Sequence, residues 1–280
     1  MRYLALFLLF FPLISKAQTV CTLESREKLE AVLQQLSQED HSKKTVQNLT
    51  LEIGKIFLQT PYVEKTLELP GEEKLVINLM GLDCTTYVES VLALARISKK
   101  KLFSFEDFER ELELIRYRQG KNAGYPSRLH YFSDWMYQNQ KKRILKDITQ
   151  EIGGISYPNH PSFMSENPQF YPQLANAAYV EQLKKTEKEI SKRAYYFIPK
   201  AEINALESKI ESGDLIAITT SISNLDMVHV GIAIKKDGRI HLMHASSKNG
   251  EVEISAMPLH DYLAGNRSQS GIMVSRLSDD

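Results

Sequence analysis

The chain has 280 residues, 42% of them hydrophobic and 25% charged, an ordinary globular composition with enough apolar residues for a sizeable core. Thirty-five Lys and Arg balance thirty-five Asp and Glu, so no basic excess points to a nucleic-acid partner and no acidic block points to a disordered tail.

The chain opens with MRYLALFLLFFPLISKAQ, which reads as a targeting segment. Arg2 supplies a positive start, and Leu4 to Ile14 form an apolar run shorter than the roughly 20 residues a spanning helix needs. Ser15-Lys16-Ala17 then places small residues at a cleavage site. Residues 1–17 are therefore expected to be a signal peptide and 18–280 the retained chain, with an uncleaved anchor as the competing reading. Export to the periplasm or the medium follows, with no stable membrane insertion once the segment is cut. Oxidising compartments favour paired cysteines, and the available pair is Cys21 with Cys84. Cys21 lies near the new terminus, where chains are usually poorly ordered, which weakens a disulfide. Lipid attachment at Cys21 is a further alternative, disfavoured by the preceding Gln18-Thr19-Val20.

Residues 22–60 predict helix, with Leu29, Val32, Leu33 and Leu36 on one stripe and Val46, Leu49, Ile53 and Ile56 on another. Pro61, Pro70 and Gly71 predict loop and turn, ending in the apolar run Leu75-Val76-Ile77. Residues 83–97 predict a buried helix with Val88, Val91, Leu92 and Ala95 on one side. Asp83 is a suitable N-cap, and Thr86 with Glu89 is an alternative capping pair one turn later. Either choice puts Cys84 at a helix start, where unpaired N–H groups and the dipole favour a thiolate. A buried structural cysteine is the competing reading.

The stretch from about 98 to 205 is expected to be a large helical and loop insertion. Helical pieces fall at 105–117 and 174–193, with the aromatic and Gly/Pro-rich runs GYPSRLHYFSDWMY and GGISYPNHPSFM between them. Long loops inside a domain tend to be binding surfaces. Residues 211–280 read as β-rich: GDLIAITT, MVHVGIAI and RIHLMHAS are strand-like. Asp237-Gly238 predicts a two-residue type I′ turn, pairing Lys236 with Arg239. Counting outward, Ile234 faces His241 and Gly231 faces His244. His229 then shares a face with His244, as a diagonal neighbour within side-chain reach, while His241 falls on the other face. An odd-numbered loop would bring His241 round instead.

A thiol nucleophile needs a base, and the base needs an orienting group. Cys84, His229 and His244 meet that requirement. A zinc site is the weaker alternative, because no close ligand pair of the H-x-x-x-H or C-x-x-C kind is present. No metal and no cofactor are expected.

GLDCTTYVE at 81–89 resembles the cysteine motif of the NlpC/P60 cell-wall hydrolases, GDLIAI at 213–218 their G-D-L strand, DMVHVGIAI the histidine strand, and MHAS the strand of the third polar residue. TPYVEK at 60–65 resembles their T-P-Y segment, without the two glycines that follow it. LDCTTYVE, SRLHYFSDW and the long insertion resemble the subgroup formerly called domain of unknown function 1460, whose members look like N-acetylmuramoyl-L-alanine amidases. The resemblance covers most of residues 55–280. It implies a papain-like α+β fold in which a Cys-bearing helix packs on an antiparallel sheet. It also implies Cys84 as nucleophile, His229 as general base and His244 as orienting residue, with Tyr62 assisting. Within the insertion, Arg128, His130, Asp134 and Trp135 are candidates for reading peptidoglycan or muropeptides. A structural aromatic and ion-pair cluster is the other reading of those four. Four competing functions remain: an endopeptidase cutting D-glutamyl-diamino acid bonds, a lipid acyltransferase, a non-catalytic wall-binding module and a secreted host-directed effector. Oligomeric state is not readable.

Overall fold

The computed structural model describes residues 19–279; the expected signal peptide at 1–17 lies outside them. The described chain opens with β1 (Thr19–Cys21), α1 (Leu23–Ser37), α2 (Val46–Ile56), β2 (Leu75–Ile77), α3 (Cys84–Lys99) and α4 (Phe105–Arg116). It continues through α5 (Phe132–Lys141), β3 (Leu145–Asp147), β4 (Ile155–Ser156), α6 (Phe163–Glu166), α7 (Ala177–Ser191), β5 (Tyr196–Pro199) and α8 (Ile203–Leu206). It closes with β6 (Leu215–Thr220), β7 (Met227–Lys236), β8 (Arg239–Ser246), β9 (Glu251–Ile254), α9 (Leu259–Ala264) and β10 (Gln269–Leu277).

The result is a mixed α+β architecture built on one eight-stranded sheet. Its order is β4-β5-β10-β6-β7-β8-β9, with β3 pairing β10 off that path, and the named pairs are antiparallel. Strand alternation gives the sheet two faces. Val230, Ile232, Ile234 and Met243 pack in a large core with α1 to α5 and α7. Ala233, Ile240 and Leu242 face a smaller core with Leu259 and Leu263 of α9.

The expected hairpin register holds. The ladder runs from Lys236–Arg239 through Ile234–His241 to Ile232–Met243. Asp237 and Gly238 both take positive φ, 51° and 80°, as a type I′ turn requires.

Two expectations are corrected, and one is borne out more fully than its stripe implied. First, the start of the described chain is tied down, because β1 pairs in parallel with β2 and Cys21 sits opposite Ile77. Second, α3 is buried, as expected, and on every side from Thr86 to Ser98 rather than along the apolar stripe alone. It lies against α2, α4, β7 and β8 at once, so its charged residues need partners inside the core. Third, the 98–205 stretch is less of an independent insertion than its composition suggested. It supplies β3, β4 and β5 to the sheet, and FSDWMY, expected as loop, begins α5. Among the described residues no helix is long and apolar enough to cross a membrane.

Candidate active site

Cys84 is the first residue of α3. Asp83 is the N-cap: its carboxylate accepts from the Thr86 N–H at 2.7 Å, and the Thr86 hydroxyl accepts from the Asp83 N–H at 2.9 Å. This reciprocal cap leaves Glu89 free of the capping role that the alternative reading gave it. The Cys84 amide belongs to the first turn, so it has no intrahelical acceptor.

The N-terminus of α3 meets the sheet where β7 begins. The Cys84 sulfur lies near the Val230 backbone, beside His229, and near Thr85. As a residue Cys84 is partly exposed, while its sulfur is crowded by protein. Burial, reinforced by the Asp83 carboxylate, pushes the thiol up to about 12. Where a thiolate was expected, the resting site favours the thiol, because desolvation of the sulfur outweighs the polar groups around it.

His229 and His244 come together as the register required. Nε2 of His229 lies 2.6 Å from Nδ1 of His244, so one hydrogen is shared between them. The rings meet edge to face at 88°, with centroids 4.7 Å apart. Burial lowers His229 to about 4. Burial, helped by the neighbouring His229, lowers His244 to about 3. Both imidazoles are therefore neutral at pH 7, which a proton acceptor for a neutral thiol has to be.

Tyr62 lies beside this group. Its N–H donates to the Gly250 carbonyl at 2.8 Å, and burial, followed by the nearby Cys84, pushes its phenol up to about 12. Sequence reasoning missed two neighbours. Tyr262 of α9 meets the His244 ring edge-on at 5.4 Å, and Glu253 of β9 sits directly opposite His244 in the β8–β9 ladder. The only signal was the alternation in EVEI, which carries no register without the intervening turn.

A cleft of about 240 Å³ opens next to the site, bordered by Asp83, Thr85, Lys65, Glu68, Arg128 and His130. Arg128 pairs with Glu68, lies 3.6 Å from Glu73 and donates to the Leu67 carbonyl at 3.0 Å. The His130 Nε2–H donates to the Tyr125 carbonyl at 2.8 Å. Two of the four insertion candidates thus border the cleft. The other two do not: Asp134 is 1% exposed and Trp135 is fully buried. Asp134 neutralises Arg118 at 2.6 Å and Arg193 at 2.7 Å. The Trp135 indole N–H donates at 3.1 Å to Glu89, which also pairs with buried Arg116 at 2.7 Å. Trp135 and Arg116 are the partners that Glu89, a charged residue inside α3, needs, and Asp134 is spent on two arginines, so both candidates take the structural places of the competing reading. Among the described residues no group of three or more His, Cys, Asp or Glu is placed to hold a metal ion.

No curated protein sequence matches. A structure from Bacteroides uniformis, described as an N-acetylmuramoyl-L-alanine amidase, shares 40% identity and a TM-score of 0.79, over 83% of this chain and 99% of its own. A Bacteroides fragilis structure carrying a provisional xylanase name shares 39% identity and a TM-score of 0.77, over 81% of this chain and 100% of its own. A Legionella pneumophila protein assigned to domain-of-unknown-function family 1460 shares 25% identity and a TM-score of 0.68, over 91% and 96%. The profile of the AmiA-like family matches residues 52–272, and the chain belongs to that family, described as N-acetylmuramoyl-L-alanine amidase-like.

Proposed function

We propose that this protein is an exported cysteine amidase of the NlpC/P60 type, with a papain-like arrangement, that hydrolyses the amide between the lactyl group of N-acetylmuramic acid and L-alanine in peptidoglycan. The observation that carries the reading is the 2.6 Å imidazole pair His229–His244 at the strand end that meets the α3 cysteine. The family and the amidase name of the Bacteroides uniformis structure support the substrate. The N-terminal apolar segment supports export.

His229 takes the Cys84 proton as sulfur attacks the amide carbonyl, so the thiolate exists only as the ion pair formed in that step. The developing oxyanion lies near the Cys84 amide, a free first-turn donor. His229 then passes the proton to the departing amine, and the freed imidazole activates water to release the acyl group and restore the thiol. His244 holds the His229 ring and carries part of the imidazolium charge. The cleft holding Arg128 and His130 is the candidate place for the rest of the muropeptide.

A glycosidase would need a free pair of carboxyl groups. The carboxylates bordering the cleft are committed: Asp83 to the helix cap, Glu89 to Arg116 and Glu68 to Arg128. The test is Cys84→Ala against purified muropeptides, with products identified by mass. Loss of at least about 10³-fold in rate is expected, with wild-type products separating the intact peptide from the sugar. Unchanged cleavage by the variant sinks the mechanism, and release of a shortened stem peptide instead assigns the protein to the endopeptidases.

A further inference from the structure

The His229–His244 hydrogen bond contains one proton, and two arrangements of it are possible. In one, His229 donates from Nε2 and keeps Nδ1 bare. In the other, His244 donates from Nδ1 and His229 is left carrying its proton on Nδ1. Only the first leaves His229 a base on the nitrogen away from its imidazole partner. Neither ring can choose by itself, because each nitrogen can play either role.

The choice is made one residue further on. Nε2 of His244 is buried and has no hydrogen-bond partner. The nearest charged group is the Glu253 carboxylate, with Oε1 3.7 Å from that nitrogen. This is longer than a hydrogen bond, but it is close for a carboxylate facing a buried ring nitrogen. If Nε2 were bare, a lone pair would point at a negative oxygen; if Nε2 carries its proton, the contact is attractive. The carboxylate is held in place: the Asn249 amide donates to both of its oxygens at 2.8 Å, and β8–β9 pairing sets His244 directly opposite Glu253. Tyr262 packs edge-on against the His244 ring, with centroids 5.4 Å apart.

We propose that Glu253 is a positioning residue that holds His244 in its Nε2–H tautomer, so that Nδ1 of His244 accepts from His229 and Nδ1 of His229 is left bare for the Cys84 proton. The inference rests on the reading of Cys84 and His229 as the reacting pair, and it extends the polar chain to four members: Cys84, His229, His244 and Glu253. The carboxylate touches neither sulfur nor substrate and acts entirely through His244.

The test is ¹⁵N-histidine NMR at neutral pH on wild type, Glu253→Ala and Glu253→Gln, together with kcat and KM on a defined muropeptide. Wild type is expected to show His244 with Nε2 protonated and Nδ1 bare. Glu253→Ala should shift His244 toward the other tautomer and lower kcat about tenfold, less than loss of a directly bonded triad carboxylate, with KM unchanged. Glu253→Gln, nearly the same shape and still presenting a carbonyl oxygen, should recover the tautomer and most of kcat. Wild-type His244 protonated at Nδ1, or a Glu253→Ala protein with unchanged tautomer and kcat, overturns the proposal. The NMR readout needs no turnover. Hydrolysis persisting in Cys84→Ala would remove the cysteine mechanism while leaving the tautomer result standing, so the two ideas fail separately.

Discussion

The two faces of the sheet treat histidine differently, and β8 shows it within four residues. His241 shares the face of Ile234, its cross-strand partner, which belongs to the core beneath α3. There its Nδ1–H donates to the Ser255 carbonyl at 2.8 Å, the bond a buried ring needs to be satisfied. His244, three positions later, is on the other face and is completely buried. Its hydrogen bond is to another imidazole, and its second nitrogen is left to face a carboxylate. Residue type and strand are the same, so strand parity separates a histidine bonded to a backbone carbonyl from one bonded to His229.

The sharpest way to break this contrast is to exchange one histidine at a time. His244→Ala is expected to lower kcat by about 10²-fold or more while the protein stays folded, since an orienting group in a triad is worth up to about 10⁴. His241→Ala should leave kcat within a few-fold of wild type and instead cost about 1–3 kcal/mol in urea unfolding, because the Ser255 carbonyl loses its donor. The reverse pattern would assign the third position to His241.

Acid is a second lever on the same face. His229 and His244 are lowered to about 4 and about 3 from an ordinary value near 6.5. The unfolded chain therefore binds more protons than the folded one between about 6.5 and 4, and stability falls as pH drops through that window. Unfolding midpoints measured from pH 7 to 4 should fall, and less steeply in a His229→Asn, His244→Asn double variant. The acid limb of kcat/KM should lie well below 6.5, near 4. A limb at 6.5 would mean that the base is not the buried His229.

The smallest expected effect tests the insertion against the hairpin. Trp135→Phe removes the indole N–H from Glu89 and should cost about 1–2 kcal/mol of stability with KM unchanged. A raised KM with unchanged stability would return Trp135 to the substrate cleft.

The insertion and the hairpin also differ in how far sequence reasoning carries. Asp237-Gly238 and alternating apolar residues fix a register locally, and counting along two strands is enough to put His229 beside His244. Nothing comparable exists between 98 and 205. SRLHYFSDW contains four plausible ligand-reading side chains, yet Arg128 and His130 border the cleft while Asp134 and Trp135 turn into the core. The difference comes from partners more than ten residues away: Arg118, Arg193 and Glu89. α3 shows the same limit. Its apolar stripe was legible, but Glu89 and Arg96 are buried because Arg116 and Glu111 come from another helix to pair with them.

By itself the sequence determined the helix start that carries Cys84, the hairpin turn and the side of the ribbon shared by His229 and His244. Capping, turn chemistry and strand alternation are short-range, so a few neighbouring residues suffice. Only the tertiary structure decided that the Cys84 sulfur rests as a buried thiol, that α3 is enclosed on all sides, and that Glu253 stands across from His244. Desolvation and long-range pairing depend on every element that surrounds a group, and no single stretch of sequence contains them.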